Sequence, residues 1–314
     1  MKSRHAHLLV SSLLLLVASP TTVRAASHPP TVRVVAPSPS GELTVGQNFR
    51  VTAEAQADAG RRVVKVEFFV WSSNLRVGEA CFRVSRDDGV TWGPEQRMPE
   101  PKYEHPTGTL FALKPIRLMG GTMILPANRE SEHPDPKRGW WSLFYRSTDA
   151  GKTWTESPEI LSTPGNIQPT IQQLSDGSLL GFFRPRGRNA KLWRSTSHDG
   201  GATWAPLERT TLDNPSTRSD FVVLPSGKLV LACNVSLVNR TPVNLLLSDD
   251  LGKTWRVNRT IETGPGPYGY CAVLRTRDGK IHVAYDTDRR IIKHLVVDEA
   301  WFDEPAVMVD YQRP

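Results

Sequence analysis

The chain has 314 residues, 39% of them hydrophobic and 23% charged, with 39 Lys and Arg against 32 Asp and Glu for a formal charge of +7. That length admits one large domain or two modest ones, with ample apolar residues for a core. The basic residues are scattered among acidic ones, which excludes the clustered positive stripe of a nucleic-acid binder and leaves an anionic small substrate, held by a few arginines, as the fitting partner.

In chain order, Met1 to Ala25 has a basic start (Lys2, Arg4), an apolar run from Leu8 to Ala18 and a small-residue ending at Val23-Arg24-Ala25. This pattern predicts a secretory signal peptide cleaved after Ala25. No later segment is long and apolar enough to span a bilayer, and no Cys follows the apolar run to carry a lipid. The expectation is an exported protein, secreted, periplasmic or on the cell surface, with no membrane span. Loss of the leader removes Lys2, Arg4 and Arg24 and lowers the formal charge by three, from +7 to +4. Cys81, Cys233 and Cys271 permit at most one disulfide, and the alternative of buried thiols without a bridge stands beside it. Their spacing suggests no zinc site, no ligand cluster points to another metal, and no cofactor is expected.

Residues 29–78 contain short period-2 stretches such as Thr31-Val32-Arg33-Val34-Val35-Ala36 and Val64-Lys65-Val66-Glu67-Phe68-Phe69-Val70, separated by Gly and Pro. They predict the start of a β-sandwich. From Cys81 onward short apolar strands alternate with turns such as Asp176-Gly177, Ser226-Gly227 and Asp278-Gly279, with no helical periodicity of useful length. Within this region the pattern Ser-x-Asp-x-Gly-x-Thr-Trp occurs four times, at Ser85–Trp92, Ser147–Trp154, Ser197–Trp204 and Ser248–Trp255. Successive marker aspartates, Asp87, Asp149, Asp199 and Asp250, are 62, 50 and 51 residues apart, the scale of one four-stranded propeller blade. Each position suits a tight hairpin: Asp accepts backbone amides, Gly supplies a positive-φ turn, Thr returns a hydroxyl bond and Trp pins the turn to its neighbour. Four equivalent carboxylates mark architecture rather than one catalytic centre. The units amount to a partial one around the first octapeptide, three full ones, and a last from Tyr268 to Val297.

These octapeptides resemble the Asp-box (BNR) repeats of the sialidase, or neuraminidase, superfamily. The stretches Gly165–Thr170, Ser175–Leu179, Leu192–Ser195, Asp278–Val283 and Ile292–His294 further resemble a mostly bacterial sialidase-like branch, so the resemblance spans about residues 81–301. Residues 29–78, through Val66-Glu67-Phe68-Phe69, resemble about half of a bacterial immunoglobulin-like module. The implied fold is all-β: a six-bladed β-propeller of sialidase type with its first blade missing or diverged, at 81–301, preceded by a partial immunoglobulin-like sandwich.

The resemblance also implies a site. Sialidases grip the substrate carboxylate with an arginine triad, attack with a tyrosine paired to a glutamate, and use an aspartate acid/base. Arginine forks match a carboxylate and stay charged, whereas a neutral tyrosine escapes the repulsion that a carboxylate nucleophile meets near an anionic anomeric centre. The late tyrosine corresponds to Tyr270, with Tyr268 competing; the plainer alternative is a strand tyrosine that packs. Arg184, at the end of an apolar run, is the first candidate carboxylate binder, with Arg218 and Arg275 behind it as surface residues or binders. Arg129 and Glu130 follow the apolar strand Ile124–Ala127, Glu130 as base and Arg129 as triad member, or the two as a loop ion pair. His105 and His133, each before Pro in a loop, are candidate sugar contacts. No Arg-Ile-Pro tripeptide of the family's first blade occurs, and the acid/base aspartate is expected in that same region. The implied activity is an exported sialidase-like glycoside hydrolase of retaining exo-α type acting on a terminal acidic sugar. Two alternatives are a uronate-polysaccharide lyase or other glycosidase on the same propeller, and a non-catalytic carbohydrate-binding or cell-surface protein.

Overall fold

The computed structural model describes residues 31–36, 52–56, 81–83, 91–97, 109–111, 114–130 and 139–305. The leader, the first Asp box up to Val90, His105 and His133 lie outside the described residues, as does most of 29–78. Of that last segment only an antiparallel pair is described, β1 (Thr31–Ala36) with β2 (Thr52–Gln56). A second two-stranded piece pairs β3 (Cys81–Phe82) with β4 (Gln96–Arg97), the strands that flank the first Asp box.

Four larger antiparallel sheets follow in chain order, each a propeller blade whose strands pair with their sequence neighbours. Blade I has an interrupted innermost strand, β5 (Thr109–Leu110) and β6 (Ile116–Arg117), then β7 (Met123–Glu130), β8 (Trp140–Ser147) and β9 (Thr155–Glu156). Blade II comprises β10 (Asn166–Gln173), β11 (Leu179–Pro185), β12 (Ala190–Ser197) and β13 (Glu208–Asn214). Blade III comprises β14 (Asp220–Val223), β15 (Leu229–Cys233), β16 (Val243–Ser248) and β17 (Val257–Glu262). Blade IV has three strands, β18 (Tyr268–Arg275), β19 (Ile281–Thr287) and β20 (Ile291–Val297), and a single helical turn at Ala300–Phe302. Among the described residues no helix is long and apolar enough to cross a membrane.

Stacking of the blades explains the unbroken apolar runs. Every residue of β11, β15 and β16 is buried, because a middle strand of a middle blade has a neighbour on each face. Side-chain alternation sends Leu179 and Phe183 toward blade I, against Ile124 and Phe144, and Leu180 and Phe182 toward blade III, against Phe221, Leu231 and Leu246. A third layer, with Ala232, Leu245, Val273, Val283 and Tyr285, joins blades III and IV. Cys233 and Cys271 sit in these layers as free, buried thiols. Burial raises both, the Cys271 thiol to about 12.

The three described Asp boxes close their hairpins with the same bonds. In the 197–204 box the Ser197 hydroxyl donates to Asp199 at 2.9 Å and accepts the Gly201 amide at 2.9 Å, while Asp199 accepts the Thr203 amide at 2.9 Å and hydroxyl at 2.6 Å. The other two repeat this set within 0.1 Å. Burial acts against ionisation of Asp199, but the Thr203 and Ser197 bonds outweigh it and bring the carboxyl down to about 2. All four donors of such a box are satisfied locally, so the motif closes its own turn.

Two of the boxes also fasten blade to blade. Trp204 stacks on Phe144 of blade I at 4.6 Å between ring centroids, and Arg146 of that blade donates to the Gly200 carbonyl at 2.9 Å. Arg194 of blade II reaches the Leu251 carbonyl of the next box at 3.3 Å. Only glycine fits at 252: φ is +81°, and a Cβ there would lie 2.6 Å from Phe182 Cζ.

Candidate functional site

Antiparallel order puts the Asp boxes and the turns at Leu118–Thr122, Leu174–Ser178, Leu224–Lys228 and Thr276–Lys280 on one face of the blades. The connections between second and third strands come out on the opposite face. On that face the innermost strands of blades II and IV each carry a bulge. The register slips between Ile167 and Thr170 in β10, and between Gly269 and Ala272 in β18. Each slip passes a third-position residue in left-handed conformation, Gln168 at φ 50° and Tyr270 at φ 51°. Such bulges re-aim a side chain, and positive φ at a bulky residue persists only where its surroundings impose it.

A polar chain runs from blade I to blade IV past these bulges. Asn128 donates to Glu130 at 3.3 Å and accepts the Gln168 amide at 3.3 Å. Gln168 accepts from Arg184 at 2.9 Å, Arg184 also reaches the Ser216 hydroxyl at 3.2 Å, and the Ser216 carbonyl accepts from Arg240 at 3.1 Å. Arg240 in turn lies over the Tyr270 ring, 5.9 Å from its centroid. Trp140 closes the blade I side, with the guanidinium carbons of Arg184 and Arg186 at 5.6 and 5.4 Å from its ring centre. The space in front is a cavity of about 1120 Å³, lined among others by Trp140, Arg186, Ser216, Arg240, Tyr268 and Asp286.

Charge beside this cavity is held under strong desolvation. Arg184 is 8% exposed and Arg218 2%. Burial lowers the Arg184 guanidinium to about 10, resisted by the nearby Tyr270 and Glu130. Burial also lowers Arg218, resisted by Asp220, Cys271, Tyr270 and Asp286; its Nε donates to the Cys271 carbonyl at 3.3 Å. Glu130 is pushed above the usual 4.5 chiefly by burial, against the pull of Arg184, Asn128 and Arg186. Asp286, paired with Gly269 across β19 and β18, is raised by burial as well, although the Arg289 amide bonds it at 2.9 Å. Two buried cations and two half-buried carboxyls around one tyrosine form the kind of convergent, perturbed cluster that a functional cleft collects.

The residues expected from the sequence are therefore divided. Arg184 lies near both Glu130 and Tyr270, and Arg218 near Tyr270, behind the cavity wall; of the expected residues that are described, only Tyr268 is part of that wall. Tyr268 is buried at 4% exposure, edge-on to Tyr285, with Lys293 5.6 Å from its ring centre. Arg129 is turned away from Glu130, because successive strand residues face opposite sides. It is fully buried and its guanidinium pairs with Glu156 at 2.6 and 3.1 Å, with Thr109 at 3.2 Å and Tyr145 at 3.3 Å. Arg275 is exposed at the far end of β18, beside Asp278 and Lys280 on the Asp-box side. Arg240, Arg186, Trp140, Gln168 and Asp286 were not legible as site residues. The nearest local signal is an arginine in the second-to-third-strand turn of each blade from II to IV.

Comparison with known proteins places this architecture. No curated protein matches the chain. Among solved structures, the Hadza microbial sialidase Hz136 is 18% identical with a TM-score of 0.58, over 71% of this chain and 44% of its own. The intramolecular trans-sialidase from Ruminococcus gnavus is 17% identical with a TM-score of 0.59, over 81% and 57%. A protein of unknown function from Dyadobacter fermentans is 14% identical with a TM-score of 0.57, over 82% and 67%. The chain thus spans less than half of the first of these and at most two thirds of the others. The family model described as BNR repeat-like domain matches residues 25–283, which takes in the segment ahead of Cys81 as well as blades I to III and the first strand of blade IV with the start of its second. On that match, with Asp boxes closing three of its blades, the chain belongs to the BNR repeat-like family and has the propeller architecture of sialidases.

Proposed function

We propose that the protein is an exported sialidase-type glycoside hydrolase, built on a six-bladed plan, that removes a terminal acidic sugar with retention. The carrying observation is that buried Arg184 and Arg218 both lie close to Tyr270, beside the cavity that Arg240 and Asp286 line. A sugar carboxylate entering there finds guanidinium groups already desolvated and oriented by Gln168, Ser216 and the Cys271 carbonyl, so little reorganisation is needed to bind it. Tyr270 Oη then bonds to the anomeric carbon as the glycosidic C–O bond breaks, and its proton passes to Glu130. Asp286 protonates the departing oxygen; burial favours its protonated form, which suits that role. Water completes the cycle by hydrolysing the tyrosyl glycoside, giving its proton to Asp286 and leaving Tyr270 to regain its own from Glu130.

The test is release of a fluorescent aglycone from an α-sialoside by the full-length protein; absence of release from folded protein overturns the reading. Because Glu130 must be ionised and burial raises it, kcat/KM should fall on acidification with a midpoint above 4.5, and Glu130→Gln should abolish that limb. Asp286→Asn separates the acid role from the rest. It should lower cleavage of natural sialyl-oligosaccharides by about 10²-fold or more, yet spare fluorogenic sialosides whose leaving group needs no proton. Equal loss on both substrates would remove Asp286 from that role.

A further inference from the structure

Beyond the buried arginines, the mouth of the same cleft carries a second layer of positive charge whose placement repeats from blade to blade. The turn joining the second and third strands presents Arg186 and Arg188 in blade II, Arg240 in blade III, and Arg289 and Arg290 in blade IV, all lining the one cavity. Against these five arginines the lining holds two carboxylates, Asp286 and Asp288. Asp288 is engaged with Arg290 at 3.5 Å in an exposed pair, which solvent weakens, and burial raises Asp286 toward its neutral form. Among the described residues Arg188 makes no hydrogen bond or ion pair. A concave wall of one sign focuses its field into the cavity.

Local conformation argues that these side chains are placed there at a cost. The blade IV turn runs Thr287-Asp288-Arg289-Arg290, closed by the Arg290 amide on the Thr287 carbonyl at 3.0 Å. Both central residues are left-handed, Asp288 at φ 50° and Arg289 at φ 56°. Two-residue turns of this kind favour Asn-Gly, which enters that region without strain. Instead the chain holds Asp-Arg, with another arginine next. The blade II turn uses glycine, Gly187 at φ 82°, between its two arginines. The proposed function assigns the single carboxylate of a monoanionic sugar to Arg184 and Arg218, which leaves the outer arginines for a further anion.

We propose that this arginine collar is a second anion-binding subsite, which takes a carboxylate or sulfate on the sugar adjoining the terminal acidic residue; the substrate is a glycan with at least two negative groups. The proposal rests on the reading of the cleft as an acidic-sugar site. Its test is calorimetric binding to the full-length protein carrying Tyr270→Phe, so that ligands survive. The probes are 3′-sialyllactose with one carboxylate, an α2,8-linked disialyl-lactose with two, and a 3′-sialyl-N-acetyllactosamine sulfated at C6 of its galactose, with one carboxylate and one sulfate. At low salt at least one of the two dianions should bind at least about tenfold more tightly than the monoanion, and added salt should narrow the gap. Which dianion wins tells carboxylate from sulfate. Adding Arg188→Ala with Arg290→Ala should reduce the preference below about twofold. Equal affinities for all three probes, a preference that survives the double replacement, or no binding at all would each overturn the collar. Dianion preference without turnover by the unmodified protein would uphold the collar and refute the hydrolase, whereas turnover of the monoanion without preference would do the reverse.

Discussion

Tyr270→Phe is expected to lower kcat on a fluorogenic α-sialoside by at least about 10³-fold while KM changes little, because the loss falls on the nucleophile and not on the carboxylate grip. The ring that Arg240 covers is retained, and the buried guanidinium groups of Arg184 and Arg218 remain. The thermal midpoint should therefore stay within a few degrees of the parent, since little else touches the lost hydroxyl. This separates chemistry from packing. A tyrosine that merely filled the strand end would yield an active Phe variant, so turnover above about a tenth of the parent would remove Tyr270 from the mechanism.

Asp220→Ala is expected to be the costliest single change to stability. Asp220 is 1% exposed and begins the innermost strand of blade III. It accepts the Thr170 hydroxyl of blade II at 2.5 Å and the Val273 amide of blade IV at 2.8 Å. It also accepts Lys114 Nζ at 2.9 Å, from the segment between β5 and β6 of blade I. Lys114 further donates to the Val273 carbonyl at 2.7 Å and the Phe221 carbonyl at 3.3 Å. Innermost segments of four blades are thus tied through one carboxylate. Its removal leaves a largely buried ammonium without its counter-charge and a buried amide without an acceptor, which costs roughly 2–4 kcal/mol. Urea denaturation of the two proteins measures it. Replacing both ends, Lys114→Met with Asp220→Leu, should cost less than Asp220→Ala alone, because no isolated charge is left. A loss under about 1 kcal/mol for Asp220→Ala would show that the tie does not hold the blades.

Much of the architecture is legible before any coordinate. The Asp boxes announce their own hairpins, since every bond that closes them lies within four residues. The apolar runs at Leu179–Phe183 and Leu229–Cys233 announce strands covered on both faces, and the spacing of the boxes gives the blade length. At the site the outcome is mixed. Arg184 is legible as a polar ending to an apolar strand, yet Arg129 at the end of β7 looks equivalent and is locked against Glu156 on the other face. Adjacent residues Arg129 and Glu130 read as one unit, and strand alternation separates them. The free thiols Cys233 and Cys271 leave no bridge between those two, which an odd cysteine count does not reveal.

What the sequence determined alone is whatever closes over short range: the all-β composition, the repeating blades and the hairpins pinned by Ser, Asp, Gly, Thr and Trp. What only the tertiary structure decided is convergence. Glu130, Arg184, Arg218, Arg240, Tyr270 and Asp286 come from four blades and are spread over more than 150 residues of chain. No local rule relates a turn arginine in one blade to a bulged tyrosine in another. Stacking of the blades around a common centre does so, because it carries the same end of every sheet to one mouth. The three described octapeptides lie on the opposite face from that cavity, so the clearest signal in the chain marks the scaffold, and the proposed site lies where the sequence is least repetitive.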